Sequence, residues 1–258
     1  MTHPQPVLSV RGVHKSFGPV RALDGVDLDV HAHEVVALVG DNAAGKSTLA
    51  KVVAGVLVPE AGTVTVDGNP VPPGSPASAR ALGVATVFQD LALAENLDVV
   101  QNLFLGQEMS GRGGFGLDEA AMENRAREIL ESLTSRIPSV RTPLSALSAG
   151  QRQTVAIART QLGSPKVVVL DEPTASLSVA QTAEVLTHVQ SLRDLGHGVI
   201  LISHSLSDVL AVADRIEVLR HGRNNGSFTA AEASHEAVVA AITGATRVPR
   251  RATPSSRP

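Results

Sequence analysis

The composition of this 258-residue chain excludes several classes of protein. Its length permits a full hydrophobic core, either as one domain or as a core with subdomains. A formal net charge of -3, with 18% charged residues, provides no basic field for nonspecific nucleic-acid binding. The absence of cysteine excludes disulfides and thiolate metal sites and favours the reducing cytoplasm. No signal peptide or apolar run of membrane-spanning length is present, so we expect a chain that does not itself cross a bilayer.

The first predicted elements are antiparallel strands between residues 7 and 35. Apolar and polar residues alternate there in short runs, and the pair Gly18-Pro19 marks a turn between them. Phe17 lies directly before this turn. Its ring suits stacking on an adenine base as well as packing in a core, and its position alone does not decide between the two.

The stretch from Gly40 to Thr48 fits the phosphate-loop pattern G-x-x-x-x-G-K-[ST]. It lies between a buried-type strand and a helical run, which is the context that distinguishes a phosphate loop from a chance Gly-rich turn. The two glycines let backbone N–H groups converge on an anion, and the helix N-terminus adds partial positive charge. We predict that Lys46 reaches the terminal phosphates and that Ser47 offers its hydroxyl to Mg²⁺. The residues predicted to bind nucleotide here are Gly40, Asp41, Asn42, Ala43, Ala44, Gly45, Lys46, Ser47 and Thr48.

The next segment contains two further strands and a loop. Alternating residues over 63–68 predict a strand, and with it an antiparallel region at about 60–70. Residues 69–78 hold four prolines and predict a loop, after which 83–88 predicts a buried strand. Gln89 at the end of this strand suits contact with a metal or an attacking water, although such an amide is more often a satisfied surface group.

A helical insertion is predicted over about residues 90–160. One apolar stripe has helical spacing, with Asp118 as its N-cap, and it consists of Met122, Ala126, Ile129 and Leu133. The glycine-rich stretch 111–116, which includes Phe115, indicates mobility rather than a second phosphate site. Ser148 and Gln151 form a capping box that opens another helix, whose N-terminus is a second potential anion site.

Two acidic residues follow the buried strand 166–170, at the kind of strand end where open α/β sheets bind ligands. Beside a phosphate loop, Asp171 is the expected partner of the Mg²⁺ shell, and Glu172 is placed to act as general base on a water. Strand 199–203 ends at His204, a residue that in isolation would usually be structural. After a strand at 214–219, the Arg- and Pro-containing residues 246–258 predict a disordered basic tail.

This ordered set of motifs resembles the ATP-binding subunit of ABC transporters. It comprises the Lys46 loop, Gln89, Leu147–Gln151, Val168–Pro173 and His204, and it covers roughly residues 7–225. The resemblance implies an α/β fold: a P-loop NTPase core with an antiparallel β subdomain and a helical subdomain. It also implies one ABC ATPase domain over residues 1–245, with ATP and Mg²⁺ as its ligands.

The resemblance also implies roles for individual residues. Phe17 looks like the ring that stacks on adenine, and Gln89 resembles the residue that senses Mg²⁺ and couples to the membrane partner. Glu172 resembles the catalytic base, and His204 the histidine that contacts the γ-phosphate. The residues that resemble the signature motif, which binds the γ-phosphate held by the opposite subunit, are Ser148, Gly150 and Gln151.

Such domains work in pairs, so the resemblance implies a homodimer or a heterodimer with a relative. It further implies an integral membrane permease, an external sugar-binding protein and a position at the cytoplasmic face of the membrane. A finer likeness to the monosaccharide-import branch lies in Gly40-Asp41-Asn42 and in residues 87–106. Three departures from the usual pattern are Ala43, Ala149 and Ser178.

Two other functions compete with transport. A soluble ABC-type ATPase acting on ribosomes or DNA is disfavoured by the single domain and the lack of a basic face. A GTPase or small-molecule kinase is disfavoured by the signature motif and by the absence of an Asn-Lys-x-Asp sequence. The sequence therefore favours an energy-coupling ATPase with no nucleic-acid partner.

Overall fold

The computed structural model describes residues 5–111 and 116–245. Phe115, most of the predicted glycine-rich loop and the predicted basic tail at 246–258 lie outside the described residues. The strands are β1 (Leu8–Phe17), β2 (Val20–Val30), β3 (Glu34–Val39), β4 (Ala61–Val66), β5 (Asn69–Pro70), β6 (Val84–Val87), β7 (Val167–Asp171), β8 (Gly198–Ile202), β9 (Arg215–Arg220) and β10 (Arg223–Thr229). The α-helices are α1 (Lys46–Val53), α2 (Pro76–Ala81), α3 (Val99–Phe104), α4 (Glu119–Ser132), α5 (Ala149–Thr160), α6 (Val179–Asp194), α7 (Leu206–Val212) and α8 (His235–Thr243).

The larger sheet has six strands in the order β10-β9-β3-β8-β7-β6. Strands β3, β6, β7 and β8 are parallel, and β9 runs parallel to β3. The near-continuous apolar runs of β7 and β8 are buried on both sides, as is typical of parallel strands covered by other layers. The segments that follow β3, β6, β7 and β8 therefore emerge at one edge of the sheet, and they include Gly40, Gln89, Glu172 and His204.

The smaller, antiparallel sheet has the order β2-β1-β4-β5, which confirms the predicted antiparallel region. Its hairpin pairs Leu8 with Val30 and Phe17 with Val20, so the turn lies at Gly18-Pro19 as predicted. Alternate side chains of this sheet pack with α1 and one face of the larger sheet. This packing brings the hairpin close to the phosphate loop.

Helices α3, α4 and α5 form the predicted helical insertion and share a core with the opposite face of the larger sheet. The side chain of Asp118 accepts a hydrogen bond from Ala121 N, which confirms the predicted N-cap of α4. The predicted apolar stripe of α4 is buried, at 4% exposure or less for Met122, Ala126, Ile129 and Leu133.

The proline-rich segment departs from the predicted loop. Helix α2 begins at Pro76, inside the stretch 69–78, because proline is tolerated in the first turn and Ser75 caps the helix by accepting from Ser78 N. A short strand, β5, also pairs there with β4. Among the helices in the described parts of the chain, none is long and apolar enough to span a membrane.

Candidate functional site

The phosphate loop connects β3 to α1 and holds its lysine inward. Lys46 is only 5% exposed, and its Nζ donates to Gly40 O at 2.9 Å and Asp41 O at 3.0 Å. Burial lowers the pKa of Lys46, whereas the negative charges of Glu172, Asp171 and Asp41 act in the opposite direction. The ammonium group is thus held by backbone carbonyls at the start of the loop, among three carboxylates that compensate its charge.

Two positions in this loop require glycine. A Cβ at Gly40 would lie 2.2 Å from Leu219 O, and one at Gly45 would lie 2.5 Å from Ala22 O. Both residues also have a positive φ, 155° and 105° respectively. The loop therefore packs closely against the end of β9 and the start of β2. Its N–H groups lie near the N-terminus of α1.

Asp171 and Ser47 form the part of the site that fits a divalent cation. Ser47 Oγ lies 3.3 Å from Asp171 Oδ1, and Asp171 is 6% exposed at the end of β7. Burial raises the pKa of Asp171, the charge of Glu172 adds to this effect, and the Ser47 hydroxyl opposes it. A buried carboxylate beside a hydroxyl supplies two of the oxygen ligands that Mg²⁺ prefers, while water and phosphate oxygens usually complete its shell.

Glu172 and His204 meet across two neighbouring strands. Asp171 pairs with Ile202, so the residues that follow each strand are adjacent, and His204 Nε2 lies 2.6 Å from Glu172 Oε1. Glu172 has a φ of 54° and donates its backbone N–H to Ile202 O at 2.9 Å. Such a left-handed backbone is strained for a residue with a side chain and is often found at functional sites. The sequence did not predict this contact.

Gln89 follows β6 of the larger sheet, whereas Phe17 ends β1 of the smaller sheet. Gln89 is exposed, two residues beyond the Val87–Leu170 pair, at the edge that also holds Glu172. Phe17 is 49% exposed, and the Lys15 ammonium lies 5.5 Å from its ring centre. An exposed ring does not fit the alternative of a buried core phenylalanine. Because Ala22 of the same hairpin touches Gly45, the ring lies at the end of the hairpin nearest the phosphate loop.

The predicted capping box at the start of α5 is present. Ser148 Oγ accepts from Gln151 N at 3.2 Å, and Gln151 Oε1 accepts from Ser148 N at 3.0 Å. Ser148 and Ala149 are exposed, whereas Gly150 is buried against α6, where an added Cβ would lie 2.9 Å from Gln181 Cγ. This turn presents its polar side outward and its glycine inward.

Two of the departures from the family pattern have structural consequences. Ala43 adopts a φ of 61°, a left-handed conformation that costs an L-residue roughly 1–2 kcal/mol. Ser178 is the N-cap of α6, and its side chain accepts from Gln181 N. A serine therefore serves the local capping function that an aspartate would also serve.

Two further polar residues near Glu172, Thr174 and Asp208, were not predicted from the sequence. Thr174 Oγ1 donates to Asp208 Oδ2 at 2.8 Å, and both line a cavity of about 480 Å³ together with Glu172 and His204. Since residues 174 and 208 are 34 positions apart, no local pattern indicates that they meet.

Comparison with known proteins identifies the family to which the chain is similar. A family model described as "ABC transporter" matches residues 23–175. The xylose/arabinose import ATP-binding protein XylG of Sulfolobus acidocaldarius is 44% identical over 84% of this chain and 86% of its own length. The fructose import ATP-binding protein FrcA of Rhizobium meliloti is 40% identical over 96% of this chain and 98% of its own.

A further relative is about twice as long as this chain, and solved structures of similar fold are also known. The ribose import ATP-binding protein RbsA 1 of Rubrobacter xylanophilus is 39% identical over 96% of this chain, which spans only 50% of that protein. The crystal structure of a nucleotide-free ATP-binding cassette from an ABC transporter has a TM-score of 0.79 and 26% identity, covering 93% of this chain and 96% of that one. The motif order, the site at one sheet edge and these similarities together show that this chain belongs to the ATP-binding family of ABC transporters.

Proposed function

We propose that this chain is the ATP-hydrolysing, energy-coupling subunit of an importer for a monosaccharide. The observation that carries the catalytic part is the convergence of Lys46, Ser47, Asp171, Glu172 and His204 at one edge of the parallel sheet. The sugar-import part is supported by two relatives of similar length that are named for the import of xylose or arabinose and of fructose.

The phosphate loop binds and orients ATP. Its N–H groups and the N-terminus of α1 face the phosphates, and Lys46 moves from backbone carbonyls to phosphate oxygens. Phe17 offers a solvent-accessible ring to the adenine base, and stacking there needs no rearrangement of the core. The residues proposed to bind the substrate from this subunit are Phe17, Gly40, Asp41, Asn42, Ala43, Ala44, Gly45, Lys46, Ser47 and Thr48.

Ser47, Asp171 and Gln89 would hold Mg²⁺. When bound, this ion neutralises charge that develops on the phosphate oxygens during phosphoryl transfer. Glu172 accepts a proton from the attacking water, and its contact with His204 orients the carboxylate. His204 also lies at the sheet edge where it can contact the γ-phosphate.

The exposed turn Ser148–Gln151 at the start of α5, the signature turn, completes the site of a second subunit. Ser148 Oγ and the N–H groups of Gly150 and Gln151 at the start of α5 suit an anion from outside the chain. Two copies, or one copy with a relative, would then sandwich two ATP molecules. Closure on ATP and reopening after hydrolysis would move the helices of a membrane permease docked near Gln89 and α3–α5, at the cytoplasmic face of the membrane.

Affinity purification of the full chain from membranes of its source cell, with mass spectrometry, tests the transport assignment. We expect a multispanning permease and an external sugar-binding protein to copurify, and the complex to release phosphate from ATP. Copurification with ribosomal or DNA-repair proteins, and no membrane partner, would replace the transport assignment by that of a soluble ABC-type ATPase.

A further inference from the structure

His188 is a fully buried polar residue with no role in the site described above. It lies on α6, and its Nδ1 is 2.7 Å from the carbonyl oxygen of Leu133, which closes α4. A carbonyl oxygen can only accept, so Nδ1 carries the proton. This bond satisfies one of the carbonyls that the end of a helix leaves without an internal partner.

The other ring nitrogen faces the first turns of α5. His188 Nε2 lies 3.0 Å from Thr154 Oγ1. Burial lowers the pKa of His188, whereas the Leu133 bond and the charge of Glu184 act in the opposite direction, so the neutral form of the ring is favoured. A neutral ring protonated on Nδ1 has a free lone pair on Nε2, and the hydroxyl of Thr154 is the donor that faces it.

Thr154 connects this histidine to the signature turn. Its hydroxyl also lies 3.1 Å from the carbonyl oxygen of Gly150. The hydroxyl proton of Thr154 therefore has two possible acceptors, Gly150 O on α5 and His188 Nε2 on α6. One helical turn earlier, Gly150 itself packs against Gln181 of α6. Helix α6 thus contacts the start of α5 at two consecutive turns.

Helix α6 also begins close to the catalytic strand. Its N-cap, Ser178, lies six positions after Glu172, and the same Gln181 that packs on Gly150 closes the Ser178 capping box. The contacts of α6 with Gly150 and Thr154 therefore link the signature turn to the segment that follows Glu172 within one subunit.

We propose that His188 is a positioning residue that, through Thr154, sets the place of the signature turn against α6. The inference rests on the proposed function, in which Ser148 and Gly150 bind the ATP of a second subunit. His188 touches neither ATP nor water in this role. Its loss affects pairing and turnover but not the affinity of the subunit's own phosphate loop.

The substitutions separate the two hydrogen bonds of His188. His188→Gln keeps a polar atom that reaches Thr154, whereas His188→Asn keeps only the donor toward Leu133. Thr154→Val removes the hydroxyl with little change of shape, and Thr154→Ser restores it. Thr160→Val is the matched control, since Thr160 is a buried threonine of the same helix whose hydroxyl donates to Ile157 O at 2.6 Å.

Three quantities are measured for each variant: ATP affinity of the isolated chain, ATP-driven dimerisation in a Glu172→Gln background, and ATP turnover in the purified permease complex. We expect His188→Asn and Thr154→Val to weaken dimerisation and lower turnover about tenfold, the effect of one buried hydrogen bond with an unpaired partner. The ATP affinity of the isolated chain stays within about twofold of the parent value, because neither hydrogen bond touches the phosphate loop. His188→Gln, Thr154→Ser and Thr160→Val behave like the parent.

Three results would overturn the inference. Normal dimerisation and turnover in Thr154→Val would exclude the positioning role while leaving the proposed function intact. Parallel losses in Thr154→Val and Thr160→Val, without rescue by Thr154→Ser, would show that only the stability of α5 had changed. A parent complex without ATP turnover would reject the proposed function itself, and this inference with it.

Discussion

The phosphate loop and the signature turn are both helix N-termini, but they differ in what they face. In the loop, Lys46 is buried and held by the carbonyls of Gly40 and Asp41, and Ser47 already meets Asp171. In the turn, Ser148 is exposed, and its side-chain hydrogen bond closes on Gln151 of the same turn. One site is assembled within the chain, whereas the other is exposed to solvent and, in the proposed function, faces a second subunit. Variants that affect the two sites differently therefore test this division.

Glu172→Gln is expected to have the largest effect. The amide keeps the shape of the side chain but cannot accept a proton from water, so ATP hydrolysis falls by roughly 10²–10⁴-fold. ATP binding is retained, because the phosphate loop is unchanged, and the dimer accumulates in its closed form. Phosphate release and size-exclusion chromatography with ATP measure both outcomes. Turnover at the parental rate would remove Glu172 from the role of general base.

Lys46→Ala acts on the internal site. Loss of the ammonium removes charged hydrogen bonds to phosphate worth about 1.5–3 kcal/mol, so ATP affinity falls roughly 10–100-fold. Lys166→Ala is the control, since Lys166 is an exposed lysine that pairs with Asp67. Titration with a fluorescent ATP analogue compares the two. Equal affinity in both variants would contradict the phosphate-binding role of the loop.

Ser148→Ala acts on the outward-facing turn. We expect a loss of about 1 kcal/mol in the free energy of unfolding from the missing cap, unchanged ATP affinity, and weaker ATP-driven pairing. Ser234→Ala is matched to it, because Ser234 caps α8 by accepting from Ala237 N at 3.1 Å. Thermal melts and dimerisation are compared in the two variants. If both dimerise equally well, the signature turn does not face a second subunit.

Asp171→Asn is expected to have the smallest effect on the fold, and in the stabilising direction. Because the folded protein raises the pKa of Asp171 above 3.8, the folded state binds this proton more tightly than the unfolded state. Ionised Asp171 therefore lowers stability above its folded pKa, and this penalty disappears as the pH falls toward 3.8. Asparagine should raise the melting temperature at pH 7 and weaken, to a smaller extent than Glu172→Gln, Mg²⁺-dependent hydrolysis. A lower melting temperature at pH 7 would contradict this account.

Much of the molecule could be predicted because its signals are local. The turn at Gly18-Pro19, the cap at Asp118 and the capping box of Ser148 and Gln151 depend on residues a few positions apart. Helix α2 was not predicted, because prolines indicate a loop unless one of them falls in the first helical turn. Helices α6, α7 and α8 and strand β10 were also not predicted.

The sequence by itself determined the chemistry that the chain can carry: a phosphate loop, an acidic strand end, a polar helix start and their order. Only the tertiary structure decided which of these residues meet. The contact of Glu172 with His204 follows from the pairing of β7 with β8, and the contact of His188 with Thr154 follows from the packing of α6 on α5. The physical reason is that these contacts join residues more than 30 positions apart, and their geometry is set by strand pairing and helix packing rather than by local conformational preference.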